Sequence, residues 1–163
     1  MTFTIRYASL DDFAGLLALF AETNRFHAAR VPQAIQEIEP IITPNWLDET
    51  LHTPDQWLLV AVEDAKPIGL LLMQLRATPD GDILVPRRYL YVHEIAVLEG
   101  YRRRGVGRAL MAAAQAIAAD QGVQQVELDV WQANAEAKAF YRSLGFETVL
   151  CRMRYIGAPG EDA

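Results

Sequence analysis

Two groups of residues in this chain have the types and spacing to do chemistry. The first is Arg102-Arg103-Arg104-Gly105-Val106-Gly107-Arg108, where three consecutive arginines run into a pair of glycines. Glycine has no Cβ, so backbone N–H groups around Gly105 and Gly107 can come close to a ligand. The residues that follow, Val106 to Gln121, are rich in Ala and Leu and read as a helix. N–H groups in the first turn of a helix lack intrahelical partners, and the helix dipole makes that end positive. A phosphate group fits such a place. Neither common glycine motif for phosphate is present: no Lys-Ser/Thr follows Gly107, and no third glycine completes a dinucleotide fingerprint. The second group is His93 and Glu94, with Asp129 further on, side chains able to take a proton.

These residues need elements to hold them. Tyr89 to Val97 is aromatic and β-branched and reads as a strand leading into the glycine turn. Strict alternation puts Tyr91, His93, Ile95 and Val97 on one face and Val92, Glu94 and Ala96 on the other. Glu94 changes register only through a bulge, a device that occurs beside active sites. Val126 to Trp131 reads as another strand, followed by a helix that Asn134 can cap and Gly145 stops. Phe146 to Tyr155 is expected to return as a terminal strand or hairpin.

Upstream, Thr2 to Tyr7 reads as a first strand, and Ser9 as the N-cap of a helix Phe13 to Phe20. Pro32, Pro40 and Pro44 break the next region, where helices are expected near Pro32–Ile38 and at Pro44–Leu51. Gln56 to Glu63 and Ile68 to Leu75 read as a hairpin across the short turn at Asp64. Their near-continuous apolar character implies burial on both faces.

With 163 residues and no internal repeat or linker, residues 1–156 read as one domain and 157–163 as a flexible tail. No apolar run approaches the roughly 20 residues needed to span a bilayer. The N-terminal residues lack a signal-peptide layout, so the expected setting is cytoplasmic, with no membrane partner. A net charge of −6 argues against nucleic acid as a partner. The histidines His27, His52 and His93 lack ligand spacing, so no metal is expected. The lone Cys151, among Val149, Leu150 and Met153, reads as a packed small hydrophobe. Oligomeric state is not legible, and a homodimer is left open.

Arg102-x-x-Gly105-x-Gly107 resembles the acetyl-CoA pyrophosphate loop of the GNAT superfamily of N-acetyltransferases. Asn134-x-x-Ala137-x-x-Phe140-Tyr141-x-x-Leu144-Gly145-Phe146 resembles its second signature. The resemblance implies an α/β fold: a mixed, mostly antiparallel sheet, helices on both faces, and an opening between the fourth and fifth strands. It implies acetyl-CoA as co-substrate and transfer to a primary amine, of a small molecule or a peptide, by direct attack in a ternary complex. It places Arg102, Arg103, Arg104, Gly105, Val106, Gly107 and Arg108 at the pyrophosphate, and Ile95, Ala96 and Val97 along the pantetheine arm. Asn134, Ala137 and Phe140 join that cofactor site. Tyr141 stands beside the sulfur, where its hydroxyl protonates the leaving thiolate. The position of the base falls at His93 or Tyr91, with Glu94, Asp129 or water as further candidates. The variable region around Phe26, His27 and Trp46 is expected either to line the acceptor site or to pack in the core. A non-catalytic acyl-CoA-binding regulator of the same fold is the alternative.

Overall fold

In the computed structural model, which describes residues 2–39, 42–79, 81 and 83–155, two long apolar strands form the centre of the molecule. β2 (Gln56–Glu63) and β3 (Lys66–Ala77) pair antiparallel from Gln56↔Gln74 to Glu63↔Lys66. Asp64 and Ala65 turn the chain between them, both with positive φ (49° and 62°), the backbone of a two-residue hairpin loop whose twist matches the strands. β1 (Thr4–Tyr7) lies on the outer side of β2, and β4 (Arg88–Val97) on the other side of β3, both antiparallel. β5 (Val126–Leu128) pairs parallel with β4, completing a five-stranded sheet in chain order. The sheet is therefore mixed and mostly antiparallel.

Helices cover both faces, which is why β2 and β3 are buried on both sides. α1 (Phe13–Arg30) and α2 (Pro44–His52) pack on one face around Leu16, Leu19, Leu47, Leu58, Val60 and Leu70. α3 (Val106–Asp120) packs on the other, with Leu59, Ile68, Leu71, Met73, Leu90, Val106 and Leu110 at its centre. α4 (Ala135–Ser143) adds Phe140 to that second core. At the entry to α1 the buried Asp12 receives Arg6 through both guanidinium Nη atoms (2.7 and 2.8 Å) and the Ser9 N–H (2.8 Å). Burial alone would raise the Asp12 pKa, but these hydrogen bonds outweigh it and hold the carboxyl below its usual range.

Four expectations are corrected. α1 continues to Arg30, because no breaker precedes Pro32; the expected helix at Pro32–Ile38 is a single turn closed by Ala34 and Ile35 N–H on Val31 O. Phe146 to Tyr155 forms no strand. Phe146 N–H caps α4 on Tyr141 O, and the residues after it lie along no other strand. High β-propensity produces no ladder without a paired edge. Cys151, expected to be packed, is therefore exposed with Val149, Leu150 and Met153. The tail expected at 157–163 lies outside the described residues.

Candidate active site

The register of β4 differs from simple alternation at one residue. Leu72 pairs with Glu94 while its neighbour Met73 pairs with Val92, so His93 is the extra residue of a β-bulge. Before and after the bulge, Leu90, Val92, Ile95 and Val97 face the core under α3. Tyr91 and Ala96 belong to the opposite face, and Glu94, opposite Leu72, joins them. The grouping of His93 with Ile95 and Val97 is thus corrected: the extra residue reverses the pleat. His93 is exposed, edge-on to Tyr91 with ring centroids 5.1 Å apart, its Nε2 3.3 Å from Gln74 Oε1. Partial burial, and then the charge of Arg76, keep its pKa below the usual imidazole value.

Glu94 points into a cavity of about 240 Å³. Phe20, Thr23, Asn24 and His27 line it from one face of α1, at helical spacing, and Ile35, Ile38 and Ile42 close it from the connection to α2. Asn24 pins that connection by accepting the Ile38 N–H (2.9 Å) and donating to Gln36 O (3.2 Å). Burial raises the Glu94 pKa to about 7. Tyr141, whose ring lies 5.3 Å from Phe140 and 5.7 Å from Phe146, has its pKa raised to about 12 by burial first and then by the charge of Glu94. The two groups therefore sense one another. One is half-ionised near neutrality and the other keeps its proton.

β4 and β5 stay together only as far as Val92↔Leu128; β4 then runs five residues further to Val97 without β5 beside it. Tyr91 bridges the strands near this divergence by donating to Asp129 Oδ2 (3.0 Å). Asp129 is exposed and engaged with that hydroxyl. Beyond Val97 the chain turns into α3. Gly105, the N-cap, has φ 86°, a left-handed conformation, and no atom lies within 4 Å of where a Cβ would stand. The first amide drawn back towards the turn is that of Ala109, on Gly105 O (3.0 Å). The Val106, Gly107 and Arg108 amides thus open the helix towards solvent. Gly107 serves a packing role as well: a Cβ there would lie 3.3 Å from Phe140 Cζ.

The arginines divide their work. Arg102 donates Nε to Val97 O (2.9 Å) and Nη2 to Glu22 Oε1 (3.0 Å), and the other contact of that carboxylate oxygen is the Glu99 N–H (2.7 Å). It clasps the turn to α1 and β4. Arg103 pairs with Glu136 at the start of α4 (3.0 Å), Arg104 stands over the Tyr101 ring, and Arg108 reaches Ser143 Oγ (3.3 Å). Asn134, buried, uses its Oδ1 to cap α4 on the Ala137 N–H (3.0 Å). Of the aromatic candidates, His27 lines the cavity, Trp46 packs edge-on against Phe20, and Phe26 lies between Arg30 and Arg102. Sequence reasoning missed Glu22, Asn24 and the isoleucine wall. The spacing of residues 20, 23, 24 and 27 was the available signal for the helix face. A larger hollow, about 480 Å³, borders the C-terminal end of α3 and β5, and its lining carries no titratable side chain. Among the described residues, no group of His, Cys, Asp and Glu is placed to hold a metal ion, and no helix is long and apolar enough to cross a membrane.

Comparison with known proteins bears on this geometry. The acetyltransferase (GNAT) family profile matches residues 17–146. An uncharacterized protein of Mycobacterium leprae is 46% identical over 72 residues, covering 44% of this chain and 19% of that protein. An N-alpha-acetyltransferase of Sulfurisphaera tokodaii is 42% identical over 74 residues, 45% of this chain and 44% of that one. The chain thus spans less than half the length of either relative. Among solved structures, a point mutant of a Bacillus halodurans protein superimposes with a TM-score of 0.89 at 26% identity, covering 95% of this chain and 99% of the other.

Proposed function

The chain belongs to the acetyltransferase (GNAT) family, and from that premise we propose that it is an N-acetyltransferase that moves an acetyl group from acetyl-CoA to a primary amine by direct attack. The observation that carries the reading is the pair Glu94 and Tyr141, electrostatically linked, with Glu94 on the wall of a cavity.

The residues fit the co-substrate. Amides at Val106, Gly107 and Arg108, at the positive end of α3, suit a pyrophosphate. The β4 backbone from Ile95 to Val97, free of β5, suits an extended amide-bearing arm. When bound, acetyl-CoA supplies an activated acyl carbon. A β4 amide at Ile95 or Ala96 donates to the carbonyl oxygen as negative charge builds there. Glu94, ionised in a large fraction of molecules at neutral pH, takes a proton from the acceptor ammonium, directly or through water. The freed nitrogen forms the new N–C bond as the C–S bond breaks, the Tyr141 hydroxyl gives its proton to the departing sulfur, and the proton shed by the acylated nitrogen restores the phenol, directly or through water. Protonation of Glu94 removes one of the causes that raise the Tyr141 pKa, so the phenol becomes a better acid when a proton is needed. Arg102 acts by holding the turn against Val97 and Glu22, and Asn134 by starting α4 so that Tyr141 faces the site. His93, displaced by the bulge, gives way to Glu94 as the base.

Release of free thiol from acetyl-CoA, followed with a thiol reagent across a panel of primary amines, tests the reading. Amine-dependent release supports it. Tight acetyl-CoA binding without release for any amine would favour the non-catalytic regulator. A cytoplasmic location and a homodimeric state are further proposals, tested by fractionation and by light scattering.

A further inference from the structure

The cavity beside Glu94 is small and one-sided in its chemistry. Its volume, about 240 Å³, lies below the range of roughly 300–1,000 Å³ common for drug-sized ligands. Phe20, Ile35, Ile38 and Ile42 are half of its lining residues, and Glu94 is the one acidic residue among the described residues that line it. Asn24 offers a ligand little, because both ends of its amide are engaged with the 36–38 backbone. His27 is different. Its Nδ1 is buried without a hydrogen-bond partner, whereas buried polar atoms are nearly always paired. Burial, and then the charge of Arg30, lower the His27 pKa, so this lining side chain is neutral and adds no charge to the cavity.

An ammonium group can meet Glu94, but a second cationic group on the same molecule would lie along isoleucine and phenylalanine, with no other carboxylate in the lining to receive it. Resting on the assignment of this cavity to the amine, we propose that the acceptor is a small primary monoamine with an apolar body, and that polyamines and other polycations are poor acceptors.

The test is kcat/KM from thiol release with matched amines on the intact chain. n-Pentylamine and putrescine have the same length and differ in a terminal methyl against a second ammonium. Pentylamine should be favoured at least about tenfold, and straight-chain monoamines should gain about fourfold per methylene until the cavity fills. Ile38→Glu, which supplies a second carboxylate, should shift the ratio towards putrescine about tenfold. Equal or faster use of putrescine by the unaltered protein, or a ratio indifferent to Ile38→Glu, overturns the proposal. Glu94→Gln should slow both amines alike and preserve their ratio. If it slows neither while Ile38→Glu still shifts the ratio, the base assignment fails and the cavity assignment stands.

Discussion

The glycine turn and the cavity beside Glu94, with Glu94 and Tyr141 proposed as the junction between them, are built from different parts of the chain's chemistry. The turn presents backbone amides. Its requirements are a left-handed residue at Gly105 (φ 86°), a residue without Cβ at Gly107 beneath Phe140, and an arginine at 102 long enough to reach Val97 O and Glu22. The cavity presents side chains, four from one face of α1 and three isoleucines from an irregular connection. A backbone site restricts residue identity at fixed spacings. A side-chain site accepts any residues of suitable size and polarity, so it changes with the ligand.

If that division holds, changes at the junction should affect the chemical step most. Tyr141→Phe keeps the ring contacts with Phe140 and Phe146 but removes the proposed proton donor. Turnover should fall roughly 10²–10⁴-fold with acetyl-CoA affinity little changed; a loss of only a few-fold would return Tyr141 to packing alone. Changes in the turn should act on the co-substrate. Gly107→Val places a branched side chain against Phe140 and over the helix amides. Calorimetry should show at least about tenfold weaker acetyl-CoA binding, and thermal unfolding a loss of about 1–3 kcal/mol from overpacking. Unchanged affinity would remove the turn from the binding site.

Glu94 should also register in stability. Its pKa is raised from 4.5 to about 7 by burial, so between those values the folded protein holds a proton that the unfolded chain has released. Its favourable contribution is complete below about pH 4.5 and is lost as the pH rises through about 7. Glu94→Gln should therefore gain in Tm relative to the unaltered protein over that interval, with the difference level above it. A difference that does not vary with pH would mean Glu94 is solvated. The smallest effect belongs to neither region and serves as a control: Ala65→Gly relieves a positive φ in the β2–β3 turn and should stabilise by about 0.5–1 kcal/mol without altering kinetics.

Much of the sheet was legible, because β2 and β3 are apolar throughout and the intervening turn is short. The glycine turn and Tyr141 stood out because their residue types recur at fixed spacing. Three things were hidden. The bulge at His93 depends on which β3 residues pair across from it, a long-range fact that period-two alternation cannot carry. The extension of α1 past Phe20 continues through polar residues that lack the apolar period, and only Pro32 marks its end. The stretch after Phe146 has strand-like composition, but composition supplies no partner edge. The first of these mattered most, since it determines how His93 and Glu94 stand relative to the core-facing Val92.

That choice is tested most directly by the dependence of kcat/KM on pH for three proteins: the unaltered chain, His93→Gln and Glu94→Gln. With Glu94 as the base, the unaltered protein should lose activity on the acidic side with a bend near pH 7, His93→Gln should keep that bend, and Glu94→Gln should abolish it with a lower plateau. A bend that persists in Glu94→Gln and vanishes in His93→Gln would contradict the account and return the base to the residue that the bulge displaces.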